Sequence, residues 1–244
     1  MARRASLHAV AVIPARYDST RFPGKPLALL AGLPMIQHVY SRVLLARGLD
    51  QVLVATDDAR IASTDEQFGG RAIMTGECRT GSDRVFEAVR ALDVEIVLNV
   101  QGDEPLIDPL CLEALLAAFD DPAVEMATLR RPLAEGEEGD PNVVKVACAL
   151  NGDALYFSRS PIPYLRRRST GLFVHVGVYA YRKAFLERMT TFESTPLENA
   201  ESLEQLRVLE HGHRIRTVLT EHRSMGVDTP EDLERVERRL ALQK

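Results

Sequence analysis

The chain has 244 residues, of which 45% are apolar and 27% charged, and its net charge is -5. That length holds one large α/β domain or two small ones, and the composition is that of an ordinary soluble globular protein. The acidic balance excludes a chain built as a whole to bind nucleic acid or an anionic membrane, so an anionic substrate has to be met by locally clustered cations.

Along the chain, short β-branched runs alternate with helical patterns. His8 to Ile13 reads as a buried strand, following an arginine-bearing start whose apolar run is too short for a signal segment. Pro34 to Arg47 reads as a helix with Ile36, Val39, Tyr40, Val43 and Leu44 on its apolar face. The next elements are a strand at Gln51 to Thr56, a helix at Asp58 to Phe68 and a strand at Arg71 to Met74. A helix at Ser82 to Leu92, a strand at Glu95 to Val100 and a helix at Leu110 to Phe119 complete the series. This rhythm argues for a mostly parallel sheet covered by helices.

The second half is less regular. Val143 to Leu150, Ala154 to Ser158, Val174 to Tyr181 and Arg214 to Leu219 read as strands, and Leu203 to His211 and Glu231 to Leu242 as amphipathic helices. Loops join several of these strands, so mixed or antiparallel pairing is expected. Ala134 to Asp140 and Leu165 to Gly171 are the segments expected to be most flexible. One domain over 1–244 is anticipated, carrying an arm at roughly 130–180. Three scattered cysteines, Cys78, Cys111 and Cys148, suit a reducing compartment, and no apolar stretch approaches a membrane span.

Ligands of open parallel sheets bind beyond the carboxyl ends of the strands. Three segments fall there. Ile13 to Pro26, IPARYDSTRFPGKP, follows the first strand and sets Arg16, Arg21 and Lys25 against one acid, Asp18. Such a loop suits a triphosphate, or is a solvated basic surface. NVQGDEP, from Asn99, ends the most apolar strand in a carboxylate, Asp103, which either holds Mg²⁺ or caps the next helix. GVDTPEDL, from Gly226, is a helix-start signal in which Thr229 is the natural cap and Asp228 is available to project into a cleft. Two more pieces add to these. CRTGSDR, from Cys78, offers a helix N-terminus to a base or phosphate. VHVGVYAY, from Val174, puts His175, Gly177, Tyr179 and Tyr181 on one strand face, either a structural face or a sugar-binding wall.

In order along the chain, IPARYDSTRFPGKPL, NVQGDEPLI, DPNVVKV, ALYFSRSPIPY, LEQLRVL and GVDTPEDL resemble the 3-deoxy-manno-octulosonate (Kdo) cytidylyltransferases, also called CMP-Kdo synthetases. The resemblance runs from about His8 to the last helix. It implies a nucleotide-diphospho-sugar transferase type of α/β fold, a cytoplasmic homodimer, dependence on Mg²⁺ and a role in lipopolysaccharide synthesis. The reaction it implies is in-line attack of the Kdo anomeric hydroxyl on the α-phosphate of CTP, with loss of pyrophosphate. By motif, Arg16, Arg21 and Lys25 hold the phosphates, and Arg79 and Ser82 lie beside the nucleotide. Asp103 and Asp228 hold the metal. Gln101, Arg159, His175, Tyr179, Glu204 and Gln205 meet the sugar, with Arg159 facing its carboxylate.

Two departures stand out. The family more often has a His ahead of the segment that here reads Cys78-Arg79-Thr80-Gly81-Ser82, and the stretch from Leu165 to Phe173 is shorter than usual. The nearest rival is an acylneuraminate (sialic acid) cytidylyltransferase, whose first loop continues with a Gly-Ser-Lys pattern that this chain lacks. A dinucleotide-binding oxidoreductase needs G-x-G-x-x-G after the first strand, and none is present. A non-catalytic nucleotide-sensing module would have no use for the carboxylate pair.

Overall fold

The structure is a computed structural model that describes residues 8–18, 22–167, 171–223 and 225–242. Arg21 and residues 168–170 of the anticipated flexible loop lie outside the described residues. The chain forms two compact units, Met1–Glu113 with Ser224–Lys244, and Ala114–Arg223. The second unit interrupts the first and is longer than the arm anticipated at roughly 130–180.

In the first unit, β1 (Ala9–Pro14) leads to a small hairpin, β2 (Leu29–Leu30) with β3 (Leu33–Pro34), and then to α1 (Met35–Val43). There follow β4 (Gln51–Thr56), α2 (Ala59–Gln67), β5 (Ala72–Met74), α3 (Gly81–Val89) and β6 (Ile96–Asn99). Strands β6, β1, β4 and β5 lie side by side in that order, all parallel. Ala9 to Ile13 and Ile96 to Leu98 are essentially without exposed surface, which is why both strands read as unbroken apolar runs. Each such Val, Ile or Leu contributes about 1.5–3 kcal/mol by leaving water. Helix α1 buries Met35, Ile36, Val39, Tyr40 and Val43. Leu44, expected on that face, is exposed, because the helix ends at Val43 in tight turns before Gly48.

Helix α4 (Pro109–Ala118) carries the chain across the boundary between the units. The second unit contains β7 (Met126–Pro132), β8 (Lys145–Cys148), β9 (Ala154–Ser158), β10 (Phe173–Arg182), α5 (Lys183–Met189), α6 (Pro196–Glu201), α7 (Gln205–Glu210) and β11 (Arg216–Leu219). Strand β10 pairs antiparallel with β7 and β8, β8 pairs antiparallel with β9, and β11 pairs parallel with β7. The mixed pairing agrees with the sequence reading. Strand β7 and helices α5 and α6 were not anticipated. The acidic segment after β7 is tied down, because Arg131 donates from both terminal nitrogens to Glu137 at 2.7 Å.

The last helix, α8 (Pro230–Ala241), belongs to the first unit. Its Val236 joins Leu30, Met35 and Val227 in a small apolar cluster against which Phe22, Leu106 and Leu233 also pack. This cluster anchors the loop after β1 and the segment before α8 to a common base.

Candidate active site

The loop after β1 is fixed by short-range backbone geometry. Gly24 donates its N–H to the Tyr17 carbonyl at 2.9 Å and adopts φ 71°, a left-handed conformation that glycine takes without cost. A 3₁₀ turn over Lys25–Leu27 follows, and from it the Lys25 side chain projects. Its Nζ donates to Asp103 Oδ2 at 2.8 Å and to Asp228 Oδ1 at 3.4 Å. Three motifs that are remote in sequence therefore converge on one ammonium.

Two contacts enforce the convergence. Val227 N–H donates to the Asp103 carbonyl at 2.9 Å, which fixes Asp228 beside Asp103. A Cβ on Gly102 would stand 3.0 Å from the Pro14 carbonyl, so glycine lets the NVQGDEP turn approach the end of β1 without the shift that a larger residue would force.

The capping alternatives are answered by other residues. Asp108 Oδ1 accepts the N–H of Leu110 at 3.0 Å at the start of α4. Thr229 and Asp232 form a reciprocal capping box at the start of α8. Neither Asp103 nor Asp228 is needed as a cap by its side chain. One ammonium against two carboxylates leaves a net charge of -1 at this point, and both groups are hard oxygen donors. That donor set fits a further cation of the Mg²⁺ type.

Beside it lies a cavity of about 320 Å³ lined by Arg16, Cys78, Arg79, Thr80, Arg84 and Gln101, among others. The N-terminus of α3 forms part of its wall: Thr80 Oγ1 caps the helix by accepting the N–H of Asp83 at 3.1 Å. Arg16 and Arg79 are exposed there, and Arg79 Nε donates to Asp83 at 3.2 Å. Ser82 is 3% exposed and does not line this cavity, whereas its neighbours Thr80 and Gly81 do. Gln101, expected on the sugar side, lines the same cavity as the arginines, with its Nε2 donating to Asn99 Oδ1 at 3.2 Å.

Arg84 was not singled out from the sequence. It is 5% exposed, and its guanidinium donates to Thr75 Oγ1 at 2.6 Å and Asp57 Oδ2 at 2.5 Å. The signal for it was present, since Asp57 and Thr75 stand just past the carboxyl ends of β4 and β5, on the edge where ligands bind.

Apart from Gln101, the residues assigned to the sugar lie in the second unit. His175, on β10, has its Nε2 3.0 Å from Thr128 Oγ1, and its ring meets Phe157 edge-on at 5.0 Å and Tyr179 at 5.4 Å. Burial pushes His175 down to about 3, so the ring is neutral near neutral pH. A register shift between Val176 and Tyr179 lets Thr128 donate to the Val178 carbonyl at 2.8 Å and so fixes this face. Tyr179 OH donates to Gln205 Oε1 at 3.3 Å, and its ring stacks on Tyr181. Gln205 is 4% exposed, and its Nε2 has no hydrogen-bond partner among the described residues. Glu204 is half-buried beside it.

Arg159 is more committed than its motif suggested. Its guanidinium donates to the carbonyls of Glu201 at 2.8 Å, Pro141 at 2.9 Å and Ser202 at 3.4 Å, and its backbone N–H donates to Glu201 Oε2 at 2.9 Å. It clasps the end of α6 just before Glu204 and Gln205.

Comparison with known proteins follows the same lines. The cytidylyltransferase family model matches residues 10–215. The 3-deoxy-manno-octulosonate cytidylyltransferase of Anaeromyxobacter dehalogenans (strain 2CP-1 / ATCC BAA-258) is 54% identical over 238 residues, 96% of this chain and 98% of that one. The protein of the same description from Myxococcus xanthus (strain DK1622) is 52% identical, over 95% and 96% of the two chains. A solved structure of CMP:2-keto-3-deoxy-manno-octonic acid synthetase complexed with CTP is similar with a TM-score of 0.93 at 46% identity, covering 97% of this chain and 100% of that one.

Proposed function

The chain belongs to the 3-deoxy-manno-octulosonate cytidylyltransferase family, and we propose that it transfers CMP from CTP to the anomeric hydroxyl of Kdo, releasing pyrophosphate. The observation that carries this reading is the meeting of Asp103, Asp228 and Lys25 at the carboxyl edge of the parallel sheet. A cavity bearing Arg16, Arg79 and Arg84 adjoins that sheet edge and supports a polyanionic nucleotide.

In the proposed reaction the sugar hydroxyl attacks the α-phosphorus in line, the bond to the bridging oxygen breaks, and pyrophosphate departs. Triphosphate and sugar carboxylate repel one another, so much of the barrier is electrostatic. Arg16 and Lys25 hold the phosphates and stabilise the charge on the departing pyrophosphate. Asp103 and Asp228 are the residues that would hold Mg²⁺, which when bound offsets phosphate charge and orients the reactants. On the sugar side, the buried amide of Gln205 offers a donor still to be matched, which supports a hydroxyl or carboxylate oxygen there. Neutral His175, Tyr179 and Glu204 complete that wall, and Arg159 supports it from behind. No residue is assigned as general base.

Family membership also favours a homodimer in the cytoplasm whose product serves lipopolysaccharide synthesis. Among the described residues no helix is long and apolar enough to cross a membrane. Light scattering tests the dimer.

The central test is pyrophosphate release from CTP with Mg²⁺ and a panel of eight- and nine-carbon acid sugars. Release with Kdo, lost when Lys25 is changed to Ala, is the expected result. Release with a sialic acid and none with Kdo would transfer the protein to the rival specificity.

A further inference from the structure

We infer that Arg60 is a positioning residue for the phosphate loop: its guanidinium, locked by Asp58, lies on the Tyr17 ring and holds the turn from which Lys25 projects. The inference rests on the phosphate-loop reading given above. Arg60 stands in the first turn of α2, and its Cζ lies 3.3 Å from the centre of the Tyr17 ring. Asp58, the N-cap of that helix, accepts from Arg60 Nε at 3.0 Å and from Nη2 at 2.6 Å, while also accepting the Arg60 N–H at 2.9 Å. Such a two-pronged pair fixes the plane of the guanidinium as well as its position. The arginine holds the Asp58 carboxyl down at about 2, so the pair stays ionised throughout any working pH.

Tyr17 transmits this order to the loop in two ways. Its carbonyl accepts the Gly24 N–H at 2.9 Å, and its ring lies so close to Gly24 that an added Cβ would stand 3.1 Å from it. Gly24 immediately precedes Lys25, whose Nζ meets Asp103 and Asp228. A continuous physical path therefore runs from the start of α2, through one cation–π stack and one turn, to the ammonium at the sheet edge. Among the described residues the side-chain partners of Arg60 are Asp58 and Tyr17, so its effect is on where the loop stands.

With the Arg60 side chain 59% exposed, a cation–π contact of this kind is expected to be worth roughly a two- to fivefold change in an equilibrium constant. Arg60→Ala and Tyr17→Leu are each expected to raise the CTP KM within that range, with the Kdo KM unmoved and the melting temperature close to wild type. Tyr17→Phe retains the ring and is expected to restore the KM that Tyr17→Leu loses. Arg60→Lys keeps the charge without the planar fork and is expected to restore it only in part. The double variant is expected to have the KM of either single variant, because both remove the same contact. Lys25→Ala is measured alongside. If Lys25→Ala leaves CTP binding and turnover intact, the phosphate-loop reading itself fails. If Lys25→Ala is impaired while Arg60→Ala and Tyr17→Leu lose only thermal stability, or if their KM effects are independent, the positioning role alone is overturned.

Discussion

The backbone N–H of Val227 donates to the carbonyl of Asp103 at 2.9 Å, and through this bond the segment before the last helix delivers Asp228 to the side of Asp103. Both carboxylates then reach the same ammonium, that of Lys25. A pair joined in this way is expected to act as one unit.

On the proposed reading, Asp103→Asn and Asp228→Asn should each lower kcat by about a hundredfold or more, since each would weaken the hold on the Mg²⁺ that offsets the phosphate charge. The double variant should be little worse than either single one, because residues that act together are strongly non-additive. Folding should barely change, as the helix caps are supplied by Asp108 and Thr229 and partly exposed ion pairs are worth about 0–1 kcal/mol. Thr229→Ala is the contrast, expected to cost about 0.5–2 kcal/mol of stability. Steady-state rates across Mg²⁺ concentrations, paired with thermal melts, provide the check. Near wild-type rates at saturating Mg²⁺ in either single variant would sink the two-carboxylate site.

Arg159→Ala should raise the Kdo KM and lower the melting temperature together. The guanidinium serves the carbonyls of Glu201, Ser202 and Pro141, and leaving such groups unpaired costs about 1–3 kcal/mol. The CTP KM should stay nearly unchanged. A rise in Kdo KM with an unaltered melt would instead mean that the arginine meets the sugar carboxylate directly.

What the sequence made legible follows from burial. Strands β1, β4 and β6 are covered on both sides and so read as apolar runs. Strand β7 escaped because its second half is Leu129-Arg130-Arg131-Pro132, which reads as a polar loop. Folding answers both charges locally: Arg130 lies 4.3 Å over the Phe173 ring and Arg131 is paired with Glu137. No periodicity announces such partners in advance. The site shows the same division. Lys25 and Asp103 are visible in motifs that follow strands and Asp228 in a helix-start motif, but their meeting depends on the Val227–Asp103 bond and on the room that Gly102 leaves. Arg159 is visible in its motif and Arg84 within CRTGSDR, but where their donors go is decided by Asp57, Thr75 and Glu201, each from another part of the chain.

His175 should stay neutral through the enzyme's working range. Its folded pKa is depressed to about 3 by burial, against a usual value of about 6.5. A depressed pKa means that its contribution to stability is fully present above about pH 6.5 and is lost as pH falls toward 3. The Cε1–H resonance of His175 should therefore be flat between pH 5 and 8, and the pH–rate profile should carry no inflection from it. In His175→Gln the loss of stability between those two pKa values should be shallower. Titration of the His175 resonance near pH 6.5 would contradict the neutral ring.

Asp65 is expected to weaken the fold at neutral pH. It lies in α2 with 0% exposure, and neither carboxylate oxygen has a hydrogen-bond partner among the described residues. Burial first, and the charge of Glu66 second, raise its pKa to about 6. A raised pKa means that the folded state prefers the protonated acid. The cost of ionisation is absent below the unfolded pKa of about 3.9, grows as pH rises, and is complete once pH exceeds about 6. Over that interval it amounts to something on the order of 3 kcal/mol. Asp65→Asn keeps the shape and removes the charge, so it should be markedly more stable than wild type at pH 7.5 and nearly equal to it at pH 4. Asp65→Leu adds a contribution from apolar burial that does not depend on pH, so it should gain at both. Urea unfolding of the three proteins at the two pH values measures this. An Asp65→Asn gain that is the same at pH 4 and pH 7.5, or no gain at all, would mean that the carboxylate finds a partner in solution.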